Sequence, residues 1–233
     1  MRKVLIALPL VAALLGGGAR GQGAATPQAP PHESGEFLKP DLVEVATLDR
    51  TIRLDIRYAT ADNLVGRPVY PEARSFLQRP AAEALVRVNA SLRMHGYGLL
   101  VFDGYRPWSV TKIFWDVTPP EKREFVADPA KGSKHNRGCA VDLSLYSLET
   151  GREVTMPSAY DEMSPRADPG YEGGTAAERV ARDLLRKAME ADGFGVEPNE
   201  WWHFNYRDWA RYPILNLQFS EIAGYRHELS PEL

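Results

Sequence analysis

Two polar stretches, far apart in the chain, are so rich in imidazole and carboxylate that any fold must bring them together. The first is Ser133-Lys134-His135-Asn136-Arg137-Gly138-Cys139-Ala140-Val141-Asp142, and the second is Glu200-Trp201-Trp202-His203. His135 and Asp142 are seven positions apart with Gly138 between them, a spacing that lets a loop ligand and a strand ligand converge. From Gly138 to Tyr146 the residues alternate. Cys139, Val141, Leu143 and Leu145 share one face of a predicted strand, and Ala140, Asp142 and Ser144 share the other. Asp142 therefore leaves the core side. Trp201 to Tyr206 predicts an aromatic strand that carries His203. Glu200 lies three positions earlier, so a regular strand would turn it to the opposite face. Pro198-Asn199 predicts a turn that bends the backbone and sets Glu200 beside His203.

The scaffold around these stretches cannot rely on disulfides. Cys139 is the only cysteine among 233 residues, and its alternation with Val141 and Leu143 points it into a core as a small hydrophobe. A composition of 44% hydrophobic and 25% charged residues supplies enough apolar surface for one sizeable core. Leu42 to Leu48 is a candidate strand. Thr51 to Tyr58, with apolar residues at every second position, is a stronger one. Asn63 to Pro71 is a loop. Pro80 to Met94 predicts a helix with Leu85, Val88 and Leu92 on its buried face, ended by Gly96; His95 at its C-terminus needs no catalytic role. Leu99 to Phe102 is a short buried strand, leading into Asp103-Gly104-Tyr105-Arg106-Pro107. Pro107 opens a second helix carrying Val110, Ile113, Phe114 and Val117, and Pro119-Pro120 stops it. Residues 157–174 form a connection longer than most loops, which marks it as functional. Thr175 and Glu178 make a capping box for a third helix, with Val180, Leu184, Leu185 and Ala188 inward and Gly193 closing it. This order of elements predicts one compact α+β domain over residues 41–233, a largely antiparallel sheet with flanking helices.

The start of the chain carries a different signal. Arg2 and Lys3 precede an apolar run, Val4 to Leu15, and small residues follow at Gly16 to Ala19 and Gly23 to Ala25. Residues 1–25 read as a secretory signal peptide, too short to span a membrane, and residues 26–40 as a flexible lead-in. The expected location is periplasmic or secreted, with no stable membrane anchor after cleavage. The net charge of −3, about −6 once Arg2, Lys3 and Arg20 are removed, argues against nucleic acid as a partner. No feature predicts a protein partner.

His135, Asp142 and His203 are the residue types that hold one zinc ion in hydrolases, with a fourth position left for water. The ion lowers that water's pKa and polarises the carbonyl under attack, and a neighbouring carboxylate such as Glu200 moves the proton. The helical H-E-x-x-H motif is absent. The pattern S-x-H-x-x-G-x-A-x-D of Ser133 to Asp142, with E-x-W-H of Glu200 to His203, resembles the zinc D,D-peptidases. More closely, the chain resembles the D-alanyl-D-alanine dipeptidase family, the VanX type. Tyr58 to Asn63, Gly66 to Tyr70, Asp103 to Pro107 and the segment around Met156 to Ser164 carry the same likeness, from about residue 40 to about 215.

That resemblance implies zinc ligands at His135, Asp142 and His203, one Zn²⁺ per chain, and a catalytic base at Glu200. It implies that Arg106 steadies the carbonyl oxygen as it gains charge, and that Ser133 and Asp161, with Asp103, belong to the substrate-binding group. The implied substrate is a small D,D-dipeptide in a confined cavity. Two departures stand out. The signal peptide takes the chain out of the cytoplasm, which suits salvage of cell-wall dipeptides better than glycopeptide resistance. Pro157 stands where the family has glycine after Met156, which bears on the placing of Asp161. Two other readings share these residues: a D,D-carboxypeptidase or peptidoglycan endopeptidase with the same zinc site, and a non-catalytic zinc module that binds wall fragments.

Overall fold

The computed structural model describes residues 28–222; residues 1–25, read above as a signal peptide, lie outside them. Its elements are strand β1 (Leu42–Glu44), a helical turn α1 (Val45–Leu48), β2 (Arg53–Leu54), β3 (Phe76–Gln78), helix α2 (Arg79–Arg93), β4 (Tyr97–Asp103), α3 (Trp108–Val117), β5 (Ala140–Ser147), α4 (Ala176–Ala191), β6 (Phe194–Glu197) and β7 (Glu200–Tyr206). The main sheet has the order β2-β4-β5-β7-β6. β2 runs parallel to β4, and the other neighbours are antiparallel. β1 and β3 form a separate antiparallel pair. The mixed α+β architecture with a mostly antiparallel sheet is as expected.

The two sheet faces have different tasks. Leu99 and Val101 of β4, Val141, Leu143 and Leu145 of β5, and Phe204 of β7 pack into the main core. Leu85, Val88 and Leu92 of α2 and Leu185 and Met189 of α4 join them there. Cys139 is fully buried, and burial pushes its thiol up to about 12, so it acts as a small apolar side chain. On the opposite face Leu100, Phe102 and Tyr146 form a smaller cluster, with Tyr160 of the long connection packed against it. Asp142 and Ser144 lie on this second face of β5, as the alternation required.

Several elements differ from the sequence expectation. The period-two pattern of residues 51–58 yields only the two-residue β2, followed by a 3₁₀ turn at Arg57–Ala59. Ile52, Ile56 and Tyr58 are buried all the same. The chain peels off the sheet edge after Asp55, whose N–H bonds Val101 O at 2.8 Å, and Tyr58 turns inward. Residues 42–48 stop being a strand at Glu44. In α4 the buried positions are Ala181, Arg182, Leu185 and Met189, while Val180 is 68% exposed. Leu184 and Ala188 are partly buried against the core, and Arg182 also turns inward, donating to Tyr171 O at 2.6 Å. Val117, at the end of α3, is also exposed. The capping box is present: Glu178 N donates to Thr175 Oγ1 at 3.2 Å and Thr175 N to Glu178 Oε2 at 2.7 Å, which stabilises the helix start by about 1 kcal/mol. The lead-in is fastened over its second half. Leu38 N bonds Arg211 O, and Glu33 pairs with Arg137 and accepts from Ile214 N.

Candidate active site

Four segments build the site. The turn after β4 contributes Arg106. A 3₁₀ turn, His135–Arg137, contributes His135. β5 and β7 contribute Asp142 and His203, which are direct cross-strand partners and therefore share a face. Two glycines make this geometry possible. Gly138 ends the 3₁₀ turn at φ +67°, and a Cβ there would meet Leu42 Cδ2 at 2.4 Å. Gly104 lies so close to Phe76 O and Ser75 Oγ that a Cβ would come within 2.7 and 2.5 Å of them. The close approach lets Gly104 O accept from His135 Nδ1 at 2.7 Å.

That bond sets the tautomer. With the proton on Nδ1, the lone pair of His135 Nε2 faces inward. His203 is held the opposite way: Nε2 donates to Asn205 Oδ1 at 2.8 Å, and Asn205 Nδ2 donates to Glu197 Oε2 at 2.7 Å. Its Nδ1 lone pair then faces His135 Nε2 at 3.2 Å. Asp142 Oδ1 is 3.3 Å from His135 Nε2 and 3.1 Å from His203 Nδ1. This oxygen is sealed from solvent and receives no hydrogen bond of good geometry.

Three acceptor lone pairs pointing at one spot repel one another unless a cation lies between them. A tetrahedral ion with ligand bonds of 2.0–2.1 Å sets its ligands about 3.3 Å apart, and the three separations fit that. His135, Asp142 and His203 are also the one cluster of potential metal ligands found among the described residues. The electrostatics agree. Burial opposes ionisation of Asp142, yet the two imidazoles hold its carboxyl well below the usual range. Burial alone would lower the His203 pKa, but contacts with Asp142 and Glu200 push it up to about 10. A proton on His203 Nδ1 and a metal ion therefore compete for the same spot, and metal binding releases that proton.

Glu200 reaches the group through a bend in β7. Glu197 pairs with Glu200 across the Pro198-Asn199 turn, while the neighbouring Val196 pairs with Phe204, so Trp201, Trp202 and His203 bulge between the two pairings. Glu200 Oε2 consequently sits 3.3 Å from His203 Nδ1, on the same side. Arg106 is 8% exposed. Its Nε and Nη2 bond Asp103 Oδ2 at 2.9 and 2.8 Å, and Nη2 lies 3.6 Å from Asp142 Oδ2. Its guanidinium rests over the Phe114 ring, 4.6 Å from the centroid. Asp103 itself is 1% exposed and lies behind Arg106 rather than on the cavity wall, where Tyr70 Oη and Gly104 N also donate to it. Its place is to hold Arg106. Of the three residues expected to bind substrate, Ser133 and Asp161 line the cavity, and Asp103 lies behind Arg106.

The cavity in front of the cluster has a volume of about 60 Å³ and is lined by Tyr58, Arg106, Ser133, Asp161, Glu200 and Trp202 along with the ligand trio. A second cavity of about 210 Å³ shares Ser133, Glu200 and His203 with it, so the site is a cleft on the scale of a small ligand. Ser133 Oγ accepts from His135 N, so it braces the ligand turn as well as facing the cavity. Asp161 is set at φ +58°, a conformation that aspartate tolerates better than most residues, and Tyr58 Oη donates to its carboxylate at 3.0–3.1 Å. With Pro157 four positions upstream, Asp161 still faces the cavity. Tyr58, Tyr160, Trp202 and Asn205 had no role assigned from sequence. The only available signals were that the first two fall inside motif segments and the last two flank His203.

Burial, and then the negative charge of Asp142, push the Asp161 carboxyl up to about 8 from the ordinary 3.8. Between about pH 4 and about pH 8 the folded chain keeps a proton that the unfolded chain has released, so the contribution of this group to stability falls as pH rises through that window. Asp161→Asn, with no charge to bury, should therefore melt above the wild type at pH ~8 in chelator, by several degrees. The gap should close toward pH ~4, as thermal melts across that range would show.

Comparison with known proteins gives the chain a family. Residues 39–223 match the model of the peptidase M15 family, described as D-ala-D-ala dipeptidase. A D-alanyl-D-alanine dipeptidase of Escherichia coli is 34% identical over 180 residues, covering 77% of this chain and 92% of that protein. Those of Enterococcus faecium and Enterococcus faecalis are 36% and 37% identical, each covering 72% of this chain and 92% of the relative. With the family match running through every segment of the site, the chain belongs to the M15 family of D-ala-D-ala dipeptidases and is a metallopeptidase.

Proposed function

We propose that this chain is a zinc-dependent D,D-dipeptidase that hydrolyses D-alanyl-D-alanine to two D-alanines. The observation that carries this reading is the convergence of His135 Nε2, His203 Nδ1 and the orphaned Asp142 Oδ1 at the wall of a small cleft, with Glu200 alongside. One zinc ion suits three such ligands with an open position, and when bound it supplies a Lewis acid next to the scissile carbonyl.

The residues then divide the work. Glu200 takes a proton from the attacking water as its oxygen bonds to the carbonyl carbon. It delivers that proton to the departing amine as the carbon–nitrogen bond breaks. Arg106 donates to the carbonyl oxygen as charge grows on it, and because Asp103 fixes its guanidinium, little reorganisation is needed at that moment. Asp161 and Ser133 receive the free amino end. A buried carboxyl that binds a proton so readily is well matched to an ammonium, which replaces the proton with a fixed positive charge. Asp161→Asn should raise KM by roughly 10- to 100-fold, the loss expected for a charge-assisted hydrogen bond. The leader-like residues 1–25 support a periplasmic or secreted protein and a role in salvage of wall dipeptides.

The test is a product assay of the mature protein on D-Ala-D-Ala, D-Ala-L-Ala, L-Ala-D-Ala and a pentapeptide stem, with and without chelator, alongside metal analysis. Cleavage of D-Ala-D-Ala alone, lost in chelator and restored by zinc, is the expected result. An intact dipeptide beside a trimmed pentapeptide would make the chain a D,D-carboxypeptidase or endopeptidase. Tight zinc binding with no turnover of any peptide would make it a binding module.

A further inference from the structure

The long connection 157–174 brings to the metal cluster a side chain that does not line the cavity. The Tyr160 ring packs against Phe102 and Trp202, at centroid separations of 4.6 and 5.5 Å. Its hydroxyl reaches Asp142 Oδ2 at 2.9 Å and lies 3.1 Å from Tyr58 Oη. Tyr58 gives its own proton to Asp161. The Tyr160 proton goes to Asp142, since an anionic carboxylate is a stronger acceptor than a phenol oxygen.

The two oxygens of Asp142 therefore have different surroundings. Oδ1 faces the two histidine nitrogens and receives no other group. Oδ2 is occupied by Tyr160, with Arg106 Nη2 farther off at 3.6 Å. A carboxylate left to itself turns about its Cβ–Cγ bond and can offer a cation either oxygen or both. Arg106 cannot suppress that freedom, because its near contacts go to Asp103 at 2.8–2.9 Å. The phenol is anchored by its packed ring and supplies one short, directed bond to the oxygen that should stay out of the cluster.

We propose that Tyr160 is a positioning residue for the metal centre, its hydroxyl holding Asp142 as a one-oxygen ligand with Oδ1 toward His135 and His203. The inference rests on the metal-centre reading given above and adds a residue to it. Tyr160→Phe keeps the ring and removes only the hydroxyl, so it isolates the bond.

Zinc affinity of wild type and Tyr160→Phe, measured by competition with a chelator of known affinity, should differ by roughly 10-fold or more, the usual cost of losing a group that orients a ligand. In the cobalt-loaded proteins the visible absorption bands should change shape or position, because Asp142 becomes free to bind through two oxygens. The melting temperature should fall more with metal than without it, which a purely structural role for the hydroxyl would not produce. Tyr160→Leu, which also loses the ring packing, should lower both melting temperatures. Zinc affinity within twofold of wild type, with an unchanged cobalt spectrum, would overturn the assignment. A wild type that binds neither ion would instead overturn the metal-centre reading itself.

Discussion

Glu200→Ala is expected to lower kcat on D-Ala-D-Ala by about 10²–10⁴-fold, with the metal content of the purified protein unchanged. The upper part of that range is the better expectation, because the same carboxylate acts twice, first as base and then as acid. Metal is retained because the inward-facing atoms belong to His135, Asp142 and His203, while Glu200 lies beside them, 3.3 Å from His203 Nδ1. Glu200→Gln keeps the shape and the neutral hydrogen bonding but cannot accept the proton, so it should fall nearly as far. Steady-state kinetics with metal analysis on the same preparations decides the matter. Wild-type turnover in either variant would remove Glu200 from the mechanism, and a metal-free variant would make it a ligand.

Arg106→Ala should damage both rate and stability, and the two losses can be separated. Removing the guanidinium leaves Asp103, which is 1% exposed, with only Tyr70 and Gly104 as donors, and withdraws a cation from beside Asp142. Stranding a buried carboxylate in this way costs about 3–5 kcal/mol, or roughly 10 °C in melting temperature for a chain of this size. Loss of an oxyanion donor should separately lower kcat by about 10²–10³-fold. Arg106→Lys keeps the charge without the two-pronged contact to Asp103, and should fold better than it turns over. The discriminating variant is Arg106→Ala combined with Asp103→Asn, which relieves the stranded charge. Its melting temperature should recover toward wild type while kcat stays low. A recovery of both would reduce Arg106 to a structural partner of Asp103.

How far the site could be read in advance follows from how local each feature is. Asp142 was turned away from the core by strand alternation, a property of adjacent residues, and the structure has it there. The need for a bend between Glu200 and His203 came from the same rule, and a three-residue bulge supplies it. Helix α2 was legible because Leu85, Val88 and Leu92 form one stripe and all three are fully buried. Features that depend on distant partners were not legible. The alternation at residues 51–58 persists as burial without becoming a ladder, because Tyr58 is drawn toward Asp161, 103 positions away. Arg182 took an inward position on α4 that a helical wheel assigns to an apolar residue. Asp103 belongs behind Arg106 for a reason that only three-dimensional packing reveals. Tyr160 lay inside the motif segment around Met156 to Ser164, but nothing local marked its hydroxyl as a partner of Asp142, 18 positions away.

The hairpin that closes on Pro198-Asn199 fixes the chain's tolerance to change in a particular way. Glu197 braces the His203 ring through Asn205, and Glu200 adjoins the metal cluster, so the two paired residues of this hairpin serve opposite sides of one histidine with two residues between them. Substitution at Pro198 or Asn199 leaves that span intact. A single insertion or deletion there would slide Glu200 out of register and present Trp201 or Asn199 in its stead. The turn works as a ruler: its length, more than the identity of its two residues, sets where Glu200 stands.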